Sequence, residues 1–315
     1  MIRSFSKKLF GGLRRSKDDL LRNIRLIACD LDGTLLNRDD MIAPSTGEMI
    51  RLLEDAGVRF VVITRRHHQS VEPYLELVGL AEPIISLDGA LIRPPHSPII
   101  IHTTPFDQPF ALDILDEARL TDGVSWCAVT PDLFYFSKPD VTLPTYHVHW
   151  NIETLSIDGD VDRIVGPVLE VIICGGYYGV NSVFSYVQEK MAPDELKVRM
   201  YESYSTSDLW YLEIRSAGAT KENALEWMAG HDGIPLETVV GIGDHYNDVE
   251  FCRRAGYVVA MRNAVPELKE IADFVTVREC VDEGINEFLS HFLSLRGIEY
   301  VLKNVPRADA RPRSR

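Results

Sequence analysis

The chain is predicted to be an α/β protein, a Rossmann-like doubly wound parallel sheet with an inserted α+β cap domain. Three observations predict it. Short apolar runs alternate with helical stripes over residues 25–92, the alternation resumes after Gly218, and aromatic, Pro-rich strands fill the interval.

The first run, Ile24 to Cys29, is broken only by Arg25 and ends in Asp30-Leu31-Asp32-Gly33-Thr34. Ser45 with Glu48 three residues on reads as a capping box for a helix striped by Met49, Leu52, Leu53 and Ala56 and ended by Gly57. Val58 to Ile63 is a second buried strand. Val71, Tyr74, Leu75 and Val78 repeat the helical spacing, and Pro83 to Ser86 is a short strand stopped by Asp88-Gly89.

Beyond residue 93, Trp126–Val129 and Phe134–Phe136 are expected to pair antiparallel. Val168–Cys174 is a third strand, and Lys197–Tyr201 pairs with Trp210–Ile214. Helical spacing covers Phe110–Leu120 and Val183–Met191, while Pro139 to Asp162 is the least legible stretch. After Gly218, Thr220 caps a helix, Val239–Ile242 is a strand, Asp248–Ala255 a helix and Tyr257–Met261 a strand. A helix near Leu268–Ala272, a strand at Phe274–Thr276 and a stripe of Ile285, Phe288, Leu289 and Phe292 complete the layer. The expected division is a disordered basic tail at 1–24, a discontinuous core at 25–92 and 206–297, a cap at 93–205, and a C-terminal tail at 298–315.

Charge is uneven. Residues 1–25 carry +6 and residues 303–315 carry +4, so the net −14 of the chain leaves −24 on the body between them. That excludes nucleic acid as an expected ligand, because phosphate backbones need a basic footprint. No apolar run approaches the roughly 20 residues of a membrane span. The expected localisation is cytoplasmic, with no transmembrane segment; the oligomeric state is left open. Five scattered cysteines without Cys-x-x-Cys spacing read as core thiols.

Asp30 and Asp32 stand two positions apart where a buried strand ends. A carboxylate there can attack phosphorus, and a second beside it can move protons, although Asp-x-Asp-Gly alone also occurs in plain turns. Gly241-Ile242-Gly243-Asp244-His245-Tyr246-Asn247-Asp248 closes a later strand. Ligands of open α/β sheets gather at that rim. Asp30, Asp244 and the carbonyl of Asp32 offer hard oxygens for Mg2+.

Here the chain resembles the haloacid dehalogenase superfamily, most closely its Cof-type phosphatases. The motifs are Asp30-Leu31-Asp32-Gly33-Thr34, then Thr64, then Lys221 in Gly218-Ala219-Thr220-Lys221, then Gly243-Asp244 with Asn247-Asp248. Val259-Ala260-Met261-Arg262-Asn263-Ala264 looks like that group's Val-Ala-Met-Gly-Asn-Ala. The gap from Thr64 to Lys221 is where a type IIB cap would lie. The resemblance implies Mg2+, an aspartyl phosphate and a small phosphorylated metabolite, a sugar phosphate or related phosphomonoester. Asp30 would be the nucleophile and Asp32 the acid/base. Thr64 and Lys221 would serve the phosphoryl group. Asp30, Asp32, Asp244 and Asp248 would form the metal site, Asp248 by orienting waters and Lys221. Alternatives are a phosphotransferase or phosphomutase with the same intermediate, or a noncatalytic phosphometabolite sensor.

Substrate contacts are expected from Gly33, Arg65, Asp88, Gly89, Tyr246 and Asn247, the last steadying nucleophile or phosphate. Arg65 stands where the family has glycine; it either grips a second anionic group or folds outward, with the outward placement favoured. His67 and His68 read as a solvated helix start, His147-Val148-His149 as cap strand or loop. Trp126, Tyr177, Tyr178, Tyr201, Tyr204 and Trp210 read mostly as cap core.

Overall fold

A computed structural model describes residues 17–139, 142, 152–190 and 195–300. Its central sheet joins β1 (Leu26–Cys29), β2 (Arg59–Val62), β12 (Val239–Gly243), β13 (Tyr257–Ala260) and β14 (Phe274–Val275), all parallel, in the order β14-β13-β12-β1-β2. Alternate residues of each strand enter opposite cores. Ile27 and Cys29 of β1 face one, with Phe60 and Val62 of β2, while Leu26 and Ala28 face the other.

Helices cover both faces, as a sheet buried on both sides requires. Helices α2 (Pro44–Asp55), α3 (His68–Val78) and α9 (Ile285–Leu295) fill the first core; α6 (Lys221–His231), α7 (Val249–Arg254) and α8 (Pro266–Ile271) fill the second. The chain leaves β1 toward β2 on one side and returns through β12 on the other, which opens a crevice at the carboxyl ends of these strands.

The cap is a six-stranded sheet, β10-β11-β9-β6-β7-β8, made of β6 (Val124–Val129), β7 (Phe134–Phe136), β8 (Thr154–Ser156), β9 (Glu170–Gly175), β10 (Leu196–Glu202) and β11 (Trp210–Ser216). Helices α4 (Gln108–Leu120) and α5 (Tyr177–Lys190) pack on one face. The other face lays Cys127, Val129, Phe134, Ile172 and Tyr211 against Leu87, Ala90, Leu91 and Ala219 of the core. Cap and core therefore share a continuous apolar seam.

Several expectations need correction. The cap sheet runs to Ser216, past the boundary at 205, because β11 pairs along its whole length with β10 and over Trp210–Arg215 with β9. Conversely β4 (Leu91–Arg93) and β5 (His102–Thr103) pair with β3 (Ile84–Ser86) in a small antiparallel sheet, so the core extends past 93. Among the described residues a single isolated parallel bridge, Ile63 to Ile85, ties β3 to the main sheet. The N-terminal tail is shorter than 24 residues as well: Leu21, after α1 (Lys17–Leu21) has formed, and Ile24 are buried in the first core. Ile298 and Tyr300, assigned to the C-terminal tail, also pack against it. The rest of both tails and His147-Val148-His149 lie outside the described residues.

Ser45 caps nothing. Pro44 starts α2 with Ala43 before it, and the Ser45 hydroxyl donates to Glu283 Oε2 at 3.0 Å; proline's fixed φ already suits the first helical position. Tyr177, Tyr178 and Tyr204 are exposed, not cap core, whereas Trp126 is buried. Four of the five cysteines are buried, and all five are free thiols. No helix among the described residues is long and apolar enough to cross a membrane.

His67 and His68 are buried rather than solvated, because the helix they start is covered by the cap. His67 Nε2 lies 3.1 Å from the Thr130 carbonyl and its ring meets Phe134 edge-on. Burial, then His67 and Arg93, pushes His68 down to about 2. A base with a depressed folded pKa contributes its full stability above its ordinary 6.5 and loses it as pH falls below. Between pH 6.5 and 5 the fold should lose roughly 1 kcal/mol per pH unit through this residue. Denaturant titrations should show a shallower acid slope for His68→Gln than for wild type; parallel slopes would disprove the linkage.

Candidate active site

The cavity at the crevice has a volume of about 750 Å³ and takes residues from both core and cap. At its floor the β1 strand ends with the Asp30 amide donating to the Ile242 carbonyl at 2.9 Å, which fixes the carboxylate at the sheet rim. A tight turn, Leu31–Leu35, follows, and Gly33 turns it with φ +78. A Cβ at Gly33 would lie 2.4 Å from Asp244 Oδ2, so only glycine lets the two loops close together.

Lys221 opens α6, which is capped as expected by the Thr220 hydroxyl accepting from the Asn223 amide at 3.3 Å. Its Nζ donates to Asp30 Oδ1 at 2.6 Å and Asp248 Oδ1 at 2.8 Å, with 2 % of the residue exposed. Burial opposes its charge, but Asp248, Asp30 and Asp88 outweigh it and hold the ammonium above its usual range. The other oxygen of Asp248 accepts the amides of Asp244 and His245, both at 2.9 Å.

Asp30, Asp244 and Asp248 each bring a carboxylate oxygen to within 4.8 Å of the others. Burial first, then Asp248, raises Asp30 against the pull of Lys221. Burial and then Asp248 likewise push Asp244 up to about 6. Three carboxylates thus crowd one ammonium, a hard-oxygen donor set that suits a divalent cation such as Mg2+. Asp32 is placed differently: its side chain is half exposed and takes Arg66 Nε at 2.9 and 3.1 Å and Arg66 Nη2. Thr64 is buried at the end of β2, and its hydroxyl accepts the Arg66 amide at 3.1 Å.

The expected substrate residues scatter into different roles. Tyr246 is exposed at the cavity wall. Asn247 donates to Asp88 Oδ1 at 3.2 Å, and no hydrogen bond joins it to Asp30 among the described residues. Asp88 is buried in left-handed backbone, φ 51, and receives Arg215 Nη1 at 2.9 Å. Burial works against its ionisation, yet Arg215, Lys221 and Arg65 hold it well below the usual carboxylate range. Gly89 is a spacer: a Cβ there would lie 2.3 Å from the Thr220 carbonyl, immediately before Lys221. Arg65 does not fold outward. Its guanidinium pairs with buried Glu213 of the cap.

Other residues at the site carried no assignment from sequence. Asn263 donates to the Gly33 carbonyl at 2.7 Å and to Asp244 Oδ2 at 3.1 Å, and Thr34 donates to Asp244 Oδ1 at 3.1 Å. Both lie within quoted motifs, so their position was the available signal. Lys197, Arg199, Glu213 and Arg215 come from the cap, where no motif marked them.

A family model described as haloacid dehalogenase-like hydrolase matches residues 27–289. The chain belongs to this family. Among similar haloacid dehalogenase-like hydrolases, 5-amino-6-(5-phospho-D-ribitylamino)uracil phosphatase YitU of Bacillus subtilis is 28% identical over 275 residues, covering 86% of this chain and 98% of that protein. Pyridoxal phosphate phosphatase YbhA of Escherichia coli is 24% identical over 281 residues, covering 85% and 99%. A solved haloacid dehalogenase-like hydrolase from Bacteroides thetaiotaomicron superposes with a TM-score of 0.72 at 22% identity, covering 85% of this chain and 99% of its own.

Removing Lys221 leaves two buried carboxylates without their shared counter-charge. Lys221→Met should destabilise the protein by about 3–5 kcal/mol near neutral pH. Chemical denaturation measures this, and a loss under about 1 kcal/mol would refute the role of the lysine as their common partner.

Proposed function

We propose that this hydrolase is a Mg2+-dependent phosphatase of a small phosphorylated metabolite that works through an aspartyl phosphate on Asp30. The observation that carries the reading is the convergence of Asp30, Lys221, Asp244 and Asp248 from two strand ends, those of β1 and β12, and one helix start. The relatives named as phosphatases of a phosphoribityl compound and of pyridoxal phosphate support a small phosphomonoester as substrate.

Asp30 attacks phosphorus, and the alcohol half of the ester leaves with a proton from Asp32. Splitting hydrolysis at a covalent intermediate divides one difficult step into two easier ones. Water then attacks the phosphorus, gives its proton to Asp32, and frees both phosphate and Asp30. The Arg66 fork keeps the Asp32 carboxyl in one orientation through both proton transfers. Lys221 offsets charge on the transferring phosphoryl oxygens, and the Thr64 hydroxyl donates to one of them. Asp30, Asp244 and Asp248 would hold Mg2+, which when bound supplies Lewis acidity toward the phosphoryl oxygens. Every position of this set is filled, which favours an enzyme over a noncatalytic sensor.

Purified protein should release phosphate from a panel of phosphomonoesters with Mg2+ and stop when EDTA removes it. Asp30→Asn should lower kcat at least ~1,000-fold, by removal of the nucleophile. Full turnover in that variant would overturn the assignment.

A further inference from the structure

Two cations on the cap wall have no role in the chemistry above. Lys197 and Arg199, alternate residues of the edge strand β10, line the cavity that holds Asp30 and are both exposed. Neither lies within salt-bridge distance of a carboxylate among the described residues. The ladder explains why this is unusual. Arg199 stands directly opposite Glu213 on β11, the partner that cross-strand pairing would give it. Glu213, however, is engaged by Arg65 from the core and by the Tyr201 hydroxyl. The Arg199 guanidinium lies instead over the Tyr201 ring, 4.6 Å from its centroid.

Lys197 fares no better as a structural residue. It stands opposite Arg215, a like charge, and Arg215 is already committed to Asp88 at 2.9 Å and Glu170 at 3.7 Å. Like charges placed opposite each other cost a sheet stability. The fold therefore keeps two positive side chains facing an open cavity, beside cations whose own charge is answered by Glu213, Asp88 and Glu170. In a body at −24, such a local surplus reverses the field where an anion must sit.

We propose that Lys197 and Arg199 form a subsite for a second anionic group, a phosphate or carboxylate on the leaving half of the substrate. Preferred substrates are then bisphosphorylated or phospho-carboxylate metabolites rather than esters with a neutral leaving half. The site is shallow and exposed, so the two side chains bind by charge and by the forked donors of the guanidinium rather than by enclosure. This inference rests on the phosphatase reading for its substrate class.

Two matched pairs test it: fructose 1,6-bisphosphate against fructose 6-phosphate, and 3-phosphoglycerate against glycerol 3-phosphate. Wild type should show a kcat/KM at least tenfold higher for the more anionic member of one pair, and the pair that responds identifies phosphate or carboxylate as the second group. Lys197→Met with Arg199→Met should bring that ratio to within twofold of one, chiefly through KM, while Lys197→Arg with Arg199→Lys should keep it. Ratios near one in both pairs for wild type, or a ratio that survives the double Met change, would overturn the subsite. If no ester is turned over, the phosphatase reading fails by itself. Calorimetric binding of the same four compounds to wild type and the double Met variant then decides the subsite: a tenfold preference lost in the variant supports it, and equal affinities refute it.

Discussion

The ammonium of Lys221, closed off from water between Asp30 and Asp248, is the constraint on which the rest of the site depends. Two buried carboxylates at this distance repel each other, and only a shared cation makes the pair tolerable in a dry interior. Keeping that cation in place determines much of the local architecture. The Thr220 cap fixes where α6 begins, Gly89 lets the Thr220 backbone approach, and Asp248 has its second oxygen tied to two amides of the loop after β12. The geometry is thus set by backbone before any substrate arrives, which is how charged groups can stabilise a transition state without rearranging.

The main sheet and the side chains gathered at its rim were legible in the sequence because they depend on local signals. The buried run ending in Asp30-Leu31-Asp32-Gly33 marks the end of β1, and Thr220 announces the helix that carries Lys221. Asp30, Lys221, Asp244 and Asp248 could be brought together on paper since parallel strands deliver their ends to one rim. What failed were features decided by partners far away in the chain. The fate of Arg65 depends on Glu213, 148 residues on, and the burial of His67 and His68 depends on Thr130 and Phe134 of the cap. Ser45 misled for a local reason, since Pro44 had already begun the helix. The cap boundary was misplaced because β11 reads the same whether it joins the core or the inserted sheet.

Cap and core are joined by two kinds of contact with different consequences. The seam of Leu87, Ala90, Leu91 and Ala219 against the cap sheet is apolar and non-directional. The pairs Arg65–Glu213 and Arg215–Asp88 are directional and nearly dry, so they fix the register in which the two parts meet. Both pairs line the cavity, and the chain thereby couples cap position to the orientation of the wall that faces Asp30.

Among the described residues, strand β10 has a strand neighbour on one side only, because it closes the order of the cap sheet. An open edge of seven residues is a template onto which another chain could add a strand. Lys197 and Arg199 place charge along that edge and make such addition unfavourable. The same side chains that face the cavity therefore also blunt an exposed sheet edge.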